Sequence, residues 1–384
     1  MIGELRISLG ALRRNARALQ NLVGIGHAAF VVKSNAYGHG LTSTASAIEG
    51  FAARVCVYAA EEAIVLRENG LTAPILILGP VPPSLLDDAL AARAEIALWD
   101  TGSFVRDVAA ASRRRSQPFG VHVKVNTGLN RFGLEPGELP DALEDYLHVK
   151  ELRIVGIFSH LASAEEVDSP YTMLQLQRFE GAISKAGPLL EQHGIAPIRH
   201  LAASAAAMLW PQTRLDLARF GIALYGLWPS PQTHEAMGKE ALALEPALTF
   251  RSTLIVTRII ATGEPVGYGN TFHAPHEMRI GVLPIGYADG IPRLLSNRGT
   301  FLVNGVRCPI VGRVAMNLTT VDITHVPDPK VGSAVTLIGF DGSQCVSADD
   351  WADWAETINY EIVARLPGHV PRFYDEETDI RAKT

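Results

Sequence analysis

Between residues 28 and 225 short apolar runs alternate with amphipathic stretches of helical period, and after about residue 240 that alternation stops. The runs are Ala29–Lys33, Val55–Tyr58, Pro74–Leu78, Glu95–Trp99, Val121–Val125, Ile154–Ser159, Ile198–Ala202 and Leu217–Leu224. They lack the period-two alternation of a half-exposed strand and read as parallel strands covered on both faces. Helical patterns lie between them. Glu61–Asn69 stops at Gly70 and Thr172–His193 stops at Gly194, where a glycine suits a left-handed C-cap. Eight strands, each with a helix-forming connection, predict a (β/α)8 TIM barrel. Further on, Leu254–Ile260, Arg279–Leu283, Phe301–Val303, Val306–Val311, Thr319–Ile323 and Ala334–Ile338 are short, rich in Val, Ile and Thr, and separated by Gly, Pro, Asn and Asp. That texture predicts a mainly antiparallel β domain. Pro229–Glu245 has little apolar periodicity and is the expected linker. The predicted organisation is α/β: a barrel domain over residues 1–240, its first few residues able to pair with the β domain, and a C-terminal β domain over 241–384.

At 384 residues the chain is long for one domain, and 47% hydrophobic with 19% charged residues suits a globular protein rather than a disordered one. The formal charge of −6 argues against nucleic acid as a partner, and the basic run Arg113-Arg114-Arg115 reads as a solvated helix face. Three cysteines, Cys56, Cys308 and Cys345, suit a reduced compartment. The N-terminus shows no basic region followed by an apolar core, and no apolar run approaches the roughly 20 residues of a membrane span. The expectation is a cytoplasmic protein with a small-molecule substrate, no membrane partner and no metal.

The first strand closes on Lys33, followed by Ser34-Asn35-Ala36-Tyr37-Gly38-His39-Gly40. Barrel strands end at the mouth where active sites form. A lysine turned into that mouth loses hydration, its neutral amine becomes accessible, and it can form a Schiff base with an aldehyde. A lysine snorkelling from the rim has the same sequence position, so position alone leaves both readings open.

The segment Val31-Val32-Lys33-Ser34-Asn35-Ala36-Tyr37-Gly38-His39-Gly40 resembles the pyridoxal-phosphate attachment motif of alanine racemases, and the resemblance runs from the first strand to Tyr360. It implies that Lys33 holds pyridoxal 5'-phosphate and that Tyr37 helps hold its phosphate. It also implies an N-terminal barrel, a C-terminal β domain and a head-to-tail homodimer. After strand five, Lys124-Val125-Asn126-Thr127-Gly128-Leu129-Asn130-Arg131 matches a segment whose arginine contacts the cofactor's ring oxygen and the substrate carboxylate. The resemblance therefore gives Arg131 that role and makes Lys124, a position often carbamylated, its support. His160 and His200 end strands six and seven. By resemblance His160 hydrogen-bonds the catalytic tyrosine, His200 supports Arg219, and Ser204 is a phosphate ligand. Arg219 holds the pyridine nitrogen, and the amides of Gly221 and Ile222 contact phosphate. An arginine there disfavours protonation of its neighbour, the opposite of the carboxylate many pyridoxal enzymes use. Without the resemblance, a salt bridge from Arg219 to Asp216 is an equal reading.

In the second domain, Gly267-Tyr268-Gly269 matches the catalytic-tyrosine loop, Ile285-Gly286-Tyr287-Ala288-Asp289 the entrance corridor, Val314-Ala315-Met316-Asn317 the segment whose Met316 amide serves the substrate carboxylate, and Asn359-Tyr360 a phosphate-contacting tyrosine. The chain departs from the family at Asn126, Ala203, Gly267, Ala315 and Asn317, where relatives usually have Asp, Asn, Ser, Cys and Asp. The implied reaction is interconversion of L- and D-alanine by two bases, Lys33 on one face and Tyr268 of the partner on the other, supplying D-alanine for peptidoglycan. Tyrosine ordinarily ionises near pH 10, so the line Tyr268–His160–Arg219 is expected to assist it. A serine or broad-specificity racemase is the alternative. A pyridoxal-phosphate decarboxylase is distant, since the chain has no Gly-Gly pair and offers Arg219 in place of a carboxylate. A non-catalytic carrier built on the barrel alone has no use for the β domain.

Overall fold

The computed structural model describes residues 3–238 and 242–376. Within them, residues 12–36 and 41–245 gather into one compact unit, and residues 3–11, 37–40 and 246–376 into another. The expected boundary at 240/241 lies outside the described residues.

Strand β1 (Glu4–Ser8) belongs to the second unit. The first unit is built on β2 (Ala28–Val31), β3 (Arg54–Val57), β4 (Ile75–Ile77), β5 (Ala94–Leu98), β6 (Phe119–Lys124), β7 (Leu152–Phe158), β8 (Ile198–His200) and β9 (Ala218–Phe220). All neighbours pair in parallel, in the order β8-β7-β6-β5-β4-β3-β2-β9. The two ends meet through a parallel bridge between Ala203 and Arg219 and a hydrogen bond from Arg219 N to Ala202 O of 3.0 Å. This is the predicted (β/α)8 barrel. Its strands are apolar on both faces because both are covered: Val55, Cys56, Val57, Ile75, Leu76 and Ile77 are fully buried. Phe30 and Phe220 meet at 6.2 Å between ring centroids where β2 pairs β9, and each such burial contributes roughly 1.5–3 kcal/mol. The basic run ends the helix Ser103–Arg115 and faces outward, Arg113 on Glu151 and Arg114 on Asp87, as a solvated face should.

Two expectations for this unit need correction. The eighth strand is shorter than Leu217–Leu224: it stops at Phe220, Gly221 leaves the strand conformation, and Ile222–Tyr225 wind into a 3-10 turn. The stretch expected as linker contains a helix, Pro231–Met237, started by Ser230, whose Oγ accepts from Thr233 N at 3.1 Å, with proline in the first helical position. A cap and a proline set that helix without apolar periodicity.

The second unit carries β10 (Leu248–Thr253), β11 (Val256–Ile260), β12 (Met278–Leu283), β13 (Thr300–Val303), β14 (Val306–Pro309), β15 (Thr319–Asp322), β16 (Ala334–Asp341), β17 (Gln344–Val346) and β18 (Arg372–Asp375). One sheet runs β14-β13-β16-β10-β1-β18, with β17 on β16; the other runs β11-β12-β15. Every pair is antiparallel except β1 with β18. The strand expected over Leu254–Ile260 starts later, at Val256. Leu254 N bonds Ser333 O while Ile255 N bonds Val282 O, so the chain changes sheets between adjacent residues. Trp351 fills the floor of the larger sheet against Phe250 and Phe301 and donates its indole N–H to Leu337 O at 3.0 Å.

Candidate active site

Strand β2 ends at Val31, two residues before Lys33 and not on it. Ser34, Asn35, Ala36 and Tyr37 then follow with φ of 56°, 54°, 54° and 50°, a left-handed turn closed by Ala36 N on Val32 O at 2.8 Å. None of the four is glycine, and each residue in that conformation costs about 1–2 kcal/mol. Asn35 is held from two sides: its Oδ1 accepts from Leu41 N at 2.9 Å and its N–H donates to Glu62 at 3.4 Å. The turn places Lys33 partly buried. Burial, and then the charge of Arg131, lower its pKa, against a smaller opposing effect from Glu62. An amine so placed gives up its proton more easily than one in water, as nucleophilic attack on an aldehyde requires.

Arg219 on β9 is 3% exposed. Its Nη1 donates to His200 Nδ1 at 2.8 Å and His200 O at 3.0 Å. Nη2 donates to Ser159 O at 2.8 Å, Leu201 O at 3.1 Å and His160 Nδ1 at 3.2 Å. Among the described residues no carboxylate touches it, and Nε–H meets no acceptor. Asp216 does not reach it: that carboxylate takes Arg199 Nε at 2.8 Å and Nη2 at 2.9 Å, which removes the salt-bridge reading. Burial lowers the Arg219 pKa to about 10, still high enough to keep it protonated near neutrality. Because Arg219 has only donors, His160 Nδ1 must accept, and burial with the charge of Arg219 holds that imidazole well below its usual basicity. His160 is therefore neutral, with its proton on Nε2. Ser204 Oγ accepts from Gly221 N at 3.1 Å, so a hydroxyl and the amides after β9 lie together.

Lys124 ends β6, buried, with Nζ 4.5 Å from the ring centre of Phe132 and 4.8 Å from that of Phe158. Burial, then Arg219 and Arg131, bring its pKa to about 7. Arg131 is exposed beside Phe132. Asn126 organises the loop between them: Oδ1 accepts from Gly128 N and Asn130 N, and Nδ2 donates to Asn130 and Glu135. An amide makes both kinds of bond; the aspartate expected from the resemblance makes only the first.

The pattern of the alanine racemase N-terminal domain matches residues 7–229, and that of the C-terminal domain matches residues 247–374. The chain belongs to the alanine racemase family. It is 39% identical to an alanine racemase of Symbiobacterium thermophilum over 97% of both chains. The crystal structure of an alanine racemase from Streptomyces lavendulae superposes with a TM-score of 0.90 at 33% identity, covering 99% of each chain. That of the Bartonella henselae alanine racemase, with covalently bound pyridoxal phosphate, superposes with a TM-score of 0.85 at 28% identity, covering 98% of this chain and all of that one.

The remaining residues singled out by the alanine racemase resemblance lie in the second unit. Tyr37 and Tyr360 face each other at 6.3 Å between ring centroids, and burial pushes the Tyr37 hydroxyl up to about 12. Tyr268 is 75% exposed, between Gly267 (φ +74°) and Gly269 (φ +72°). Tyr287 and Met316 are also exposed, and their loops are tied by Tyr287 N to Ala315 O at 3.0 Å and Ala288 N to Met316 O at 2.9 Å. Gly286 makes that approach possible: a Cβ there sits 2.2 Å from Ala315 O. Buried Asp289 collects Gly286 N at 2.9 Å, Asn317 Nδ2 at 3.2 Å and His369 Nε2 at 3.1 Å. Sequence reasoning passed over Glu95, Arg54 and His122, which continue the hydrogen bonds of His200 into the barrel. The signals present were a carboxylate opening an apolar run and a His122–Lys124 spacing that puts both side chains on one face of a strand.

Proposed function

We propose that this chain interconverts L-alanine and D-alanine with pyridoxal 5'-phosphate as cofactor, acting in the cytoplasm to supply D-alanine for peptidoglycan. Membership of the alanine racemase family carries the activity. Within the chain, the observation that supports it is the pairing of a lysine of lowered basicity with a buried arginine that has one N–H to spare. The donors fit the cofactor: the Lys33 amine suits its aldehyde, the Arg219 Nε–H an unprotonated ring nitrogen, and Ser204 with the amides of Gly221 and Ile222 its phosphate, with Tyr37 and Tyr360 as further phosphate contacts. When bound, pyridoxal phosphate links to the amine of alanine and withdraws electrons from its α-carbon.

The chain's own residues then govern the proton. Lys33 serves one face of the α-carbon, taking the proton of D-alanine, and Tyr268 serves the other, taking that of L-alanine. Arg131 and the Met316 amide orient the substrate carboxylate; among the described residues that amide has no other acceptor. Lys124 steadies Arg131, and Tyr287 narrows the entrance. Arg219, being protonated, would disfavour a second proton on the ring nitrogen of the bound cofactor, which would favour return of the proton to the α-carbon. Because Arg219 fixes the proton of His160 on Nε2, His160 has a donor to offer a tyrosinate. We assign Tyr268 to a second copy's site, in a head-to-tail homodimer, because its ring, Tyr287 and Met316 project from loops that leave them exposed.

Racemisation assays over a panel of amino acids test this reading. Alanine is expected as the preferred substrate, in both directions. Preference for serine, or similar rates across the panel, favours the broad-specificity alternative. Loss of activity on removing the cofactor, restored by adding it back, is expected as well.

A further inference from the structure

From His200, at the C-terminal end of β8, a line of polar residues runs on to Glu95 and Arg54 near the starts of β5 and β3, and the mechanism above has no role for His122, Glu95 or Arg54. His200 Nε2 is 2.8 Å from His122 Nδ1, and His122 Nε2 is 2.9 Å from Glu95 Oε2. Glu95 is clamped by Arg54, Nε at 2.7 Å and Nη2 at 3.2 Å, with Arg153 at 3.9 Å. Both imidazoles are fully buried. Their rings meet edge to face at 5.0 Å, and Phe158 stacks flat on His200 at 4.8 Å. The place for His122 is made by an absent side chain: a Cβ on Gly156 comes within 2.3 Å of His122 Nδ1 and 2.8 Å of Ile198 O.

Hydrogen-bond direction along this line is forced from both ends. Arg219 has only donors, so His200 Nδ1 accepts from it, and a neutral His200 carries its proton on Nε2. His122 Nδ1 must then accept, and its own proton lies on Nε2. There it meets the carboxylate of Glu95, which only accepts. Burial lowers the basicity of both histidines, which keeps each to one proton. Reversing either ring makes two N–H groups face each other at one of the three contacts, a buried clash that leaves a donor unsatisfied.

We propose that Glu95 and His122 are positioning residues for racemisation: they fix both histidines as Nε2–H tautomers, so that His200 presents a lone pair to Arg219 and holds its guanidinium with Nε–H directed to the ring nitrogen of the cofactor. This rests on the reading of Arg219 given above. Glu95→Gln keeps the shape but cannot keep the pattern. With its oxygen toward His122, its amide faces Arg54. With its amide toward His122, it drives the proton of His122 to Nδ1 and reverses the line.

A neutron structure of the deuterated, cofactor-loaded enzyme reads the line without any substitution. Deuterium is expected on Nε2 and absent from Nδ1 in both His122 and His200; deuterium on Nδ1 of either overturns the proposal. For Glu95→Gln we expect kcat to fall roughly tenfold, the scale of one lost buried hydrogen bond, with KM for alanine little changed. A shifted absorption maximum of the bound cofactor is expected with it. A Glu95→Gln enzyme that melts earlier but keeps its kcat and spectrum shows Glu95 to be structural only, and overturns the proposal. Arg219→Lys separates the two readings. If it leaves the cofactor spectrum unchanged while the deuterium positions stand, the reading of Arg219 fails and the tautomer assignment does not.

Discussion

Arg219 and Tyr268 occupy opposite extremes of exposure, 3% against 75%, and they differ as much in how they are held. The guanidinium is fixed by two histidines and three carbonyls drawn from neighbouring strands, and its basicity reflects the low dielectric it lies in. The tyrosine stands on two glycines in left-handed conformation and takes nothing comparable from the described residues of its own chain. Barrel strands bring polar groups from distant parts of the sequence into one dry place, where electrostatics are strong and prearranged. The short 3-10 turn Tyr268–Asn270 presents its first side chain to whatever comes to meet it. Of these two residues, Arg219 is prepared by its own fold, whereas Tyr268, the proposed base, is left open to whatever it meets.

The most severe test of that contrast exchanges subunits. Lys33→Ala and Tyr268→Ala are each expected to be nearly inactive, and Lys33→Ala to lose the borohydride-reducible attachment of the cofactor. Mixed in equal amounts under exchange, they are expected to recover about a quarter of wild-type sites, because half the dimers carry one intact site. Demonstrated exchange with no recovery means that Tyr268 does not act in trans. Next in size is Arg219→Glu, which replaces a permanent cation with an anion that favours a protonated ring nitrogen. Racemisation is expected to slow by about 10²-fold, the scale of one removed electrostatic contact, with a changed cofactor spectrum and more pyridoxamine by-product. An unchanged spectrum places Arg219 away from the ring.

A third test reads stability against pH. Burial alone raises the pKa of Glu95, but hydrogen bonds from His122 and Arg54 overcome it and hold it at about 2, against 4.5 for the free side chain. A depressed carboxyl contributes stability above its unfolded pKa and loses it as pH falls through the folded value. Wild type is therefore expected to exceed Glu95→Gln by about 3 kcal/mol at neutral pH, a gap that closes between pH 4.5 and 2. Denaturant titrations at several pH values measure it, and a gap independent of pH contradicts it. The smallest effect belongs to the β unit. Asn317→Asp replaces a donor to Asp289 with a second carboxylate, loosening the loops of Tyr287 and Met316. KM for alanine is expected to rise by about fivefold, as one hydrogen bond allows, with the melting temperature nearly unchanged.

The barrel was legible because eight buried runs leave an unmistakable rhythm, and the family because a specific motif surrounds Lys33. The edges of elements were not. Where the eighth strand ends depends on Gly221 and Ser204 meeting across 17 positions, and where the strand expected over Leu254–Ile260 begins depends on Ser333 and Val282, in different sheets, taking adjacent amides. Glu95 and His122 stayed hidden for a related reason. Each looks like an ordinary polar residue in its own strand, and only the pairing of β5 with β6 puts one next to the other. Asp216 shows the converse: its nearness to Arg219 in sequence suggested a pair, and strand geometry gave it to Arg199.

The left-handed turn after Lys33 has a consequence for which part of the chain sets the lysine's surroundings. A chain of four non-glycine residues does not hold that conformation by itself; it persists only where surrounding structure imposes it. Here the imposing contacts come from Glu62 and Leu41, residues synthesised after the turn. The backbone that follows Lys33 is thus set by residues up to Glu62, the first third of the barrel unit, and not by the turn's own preferences.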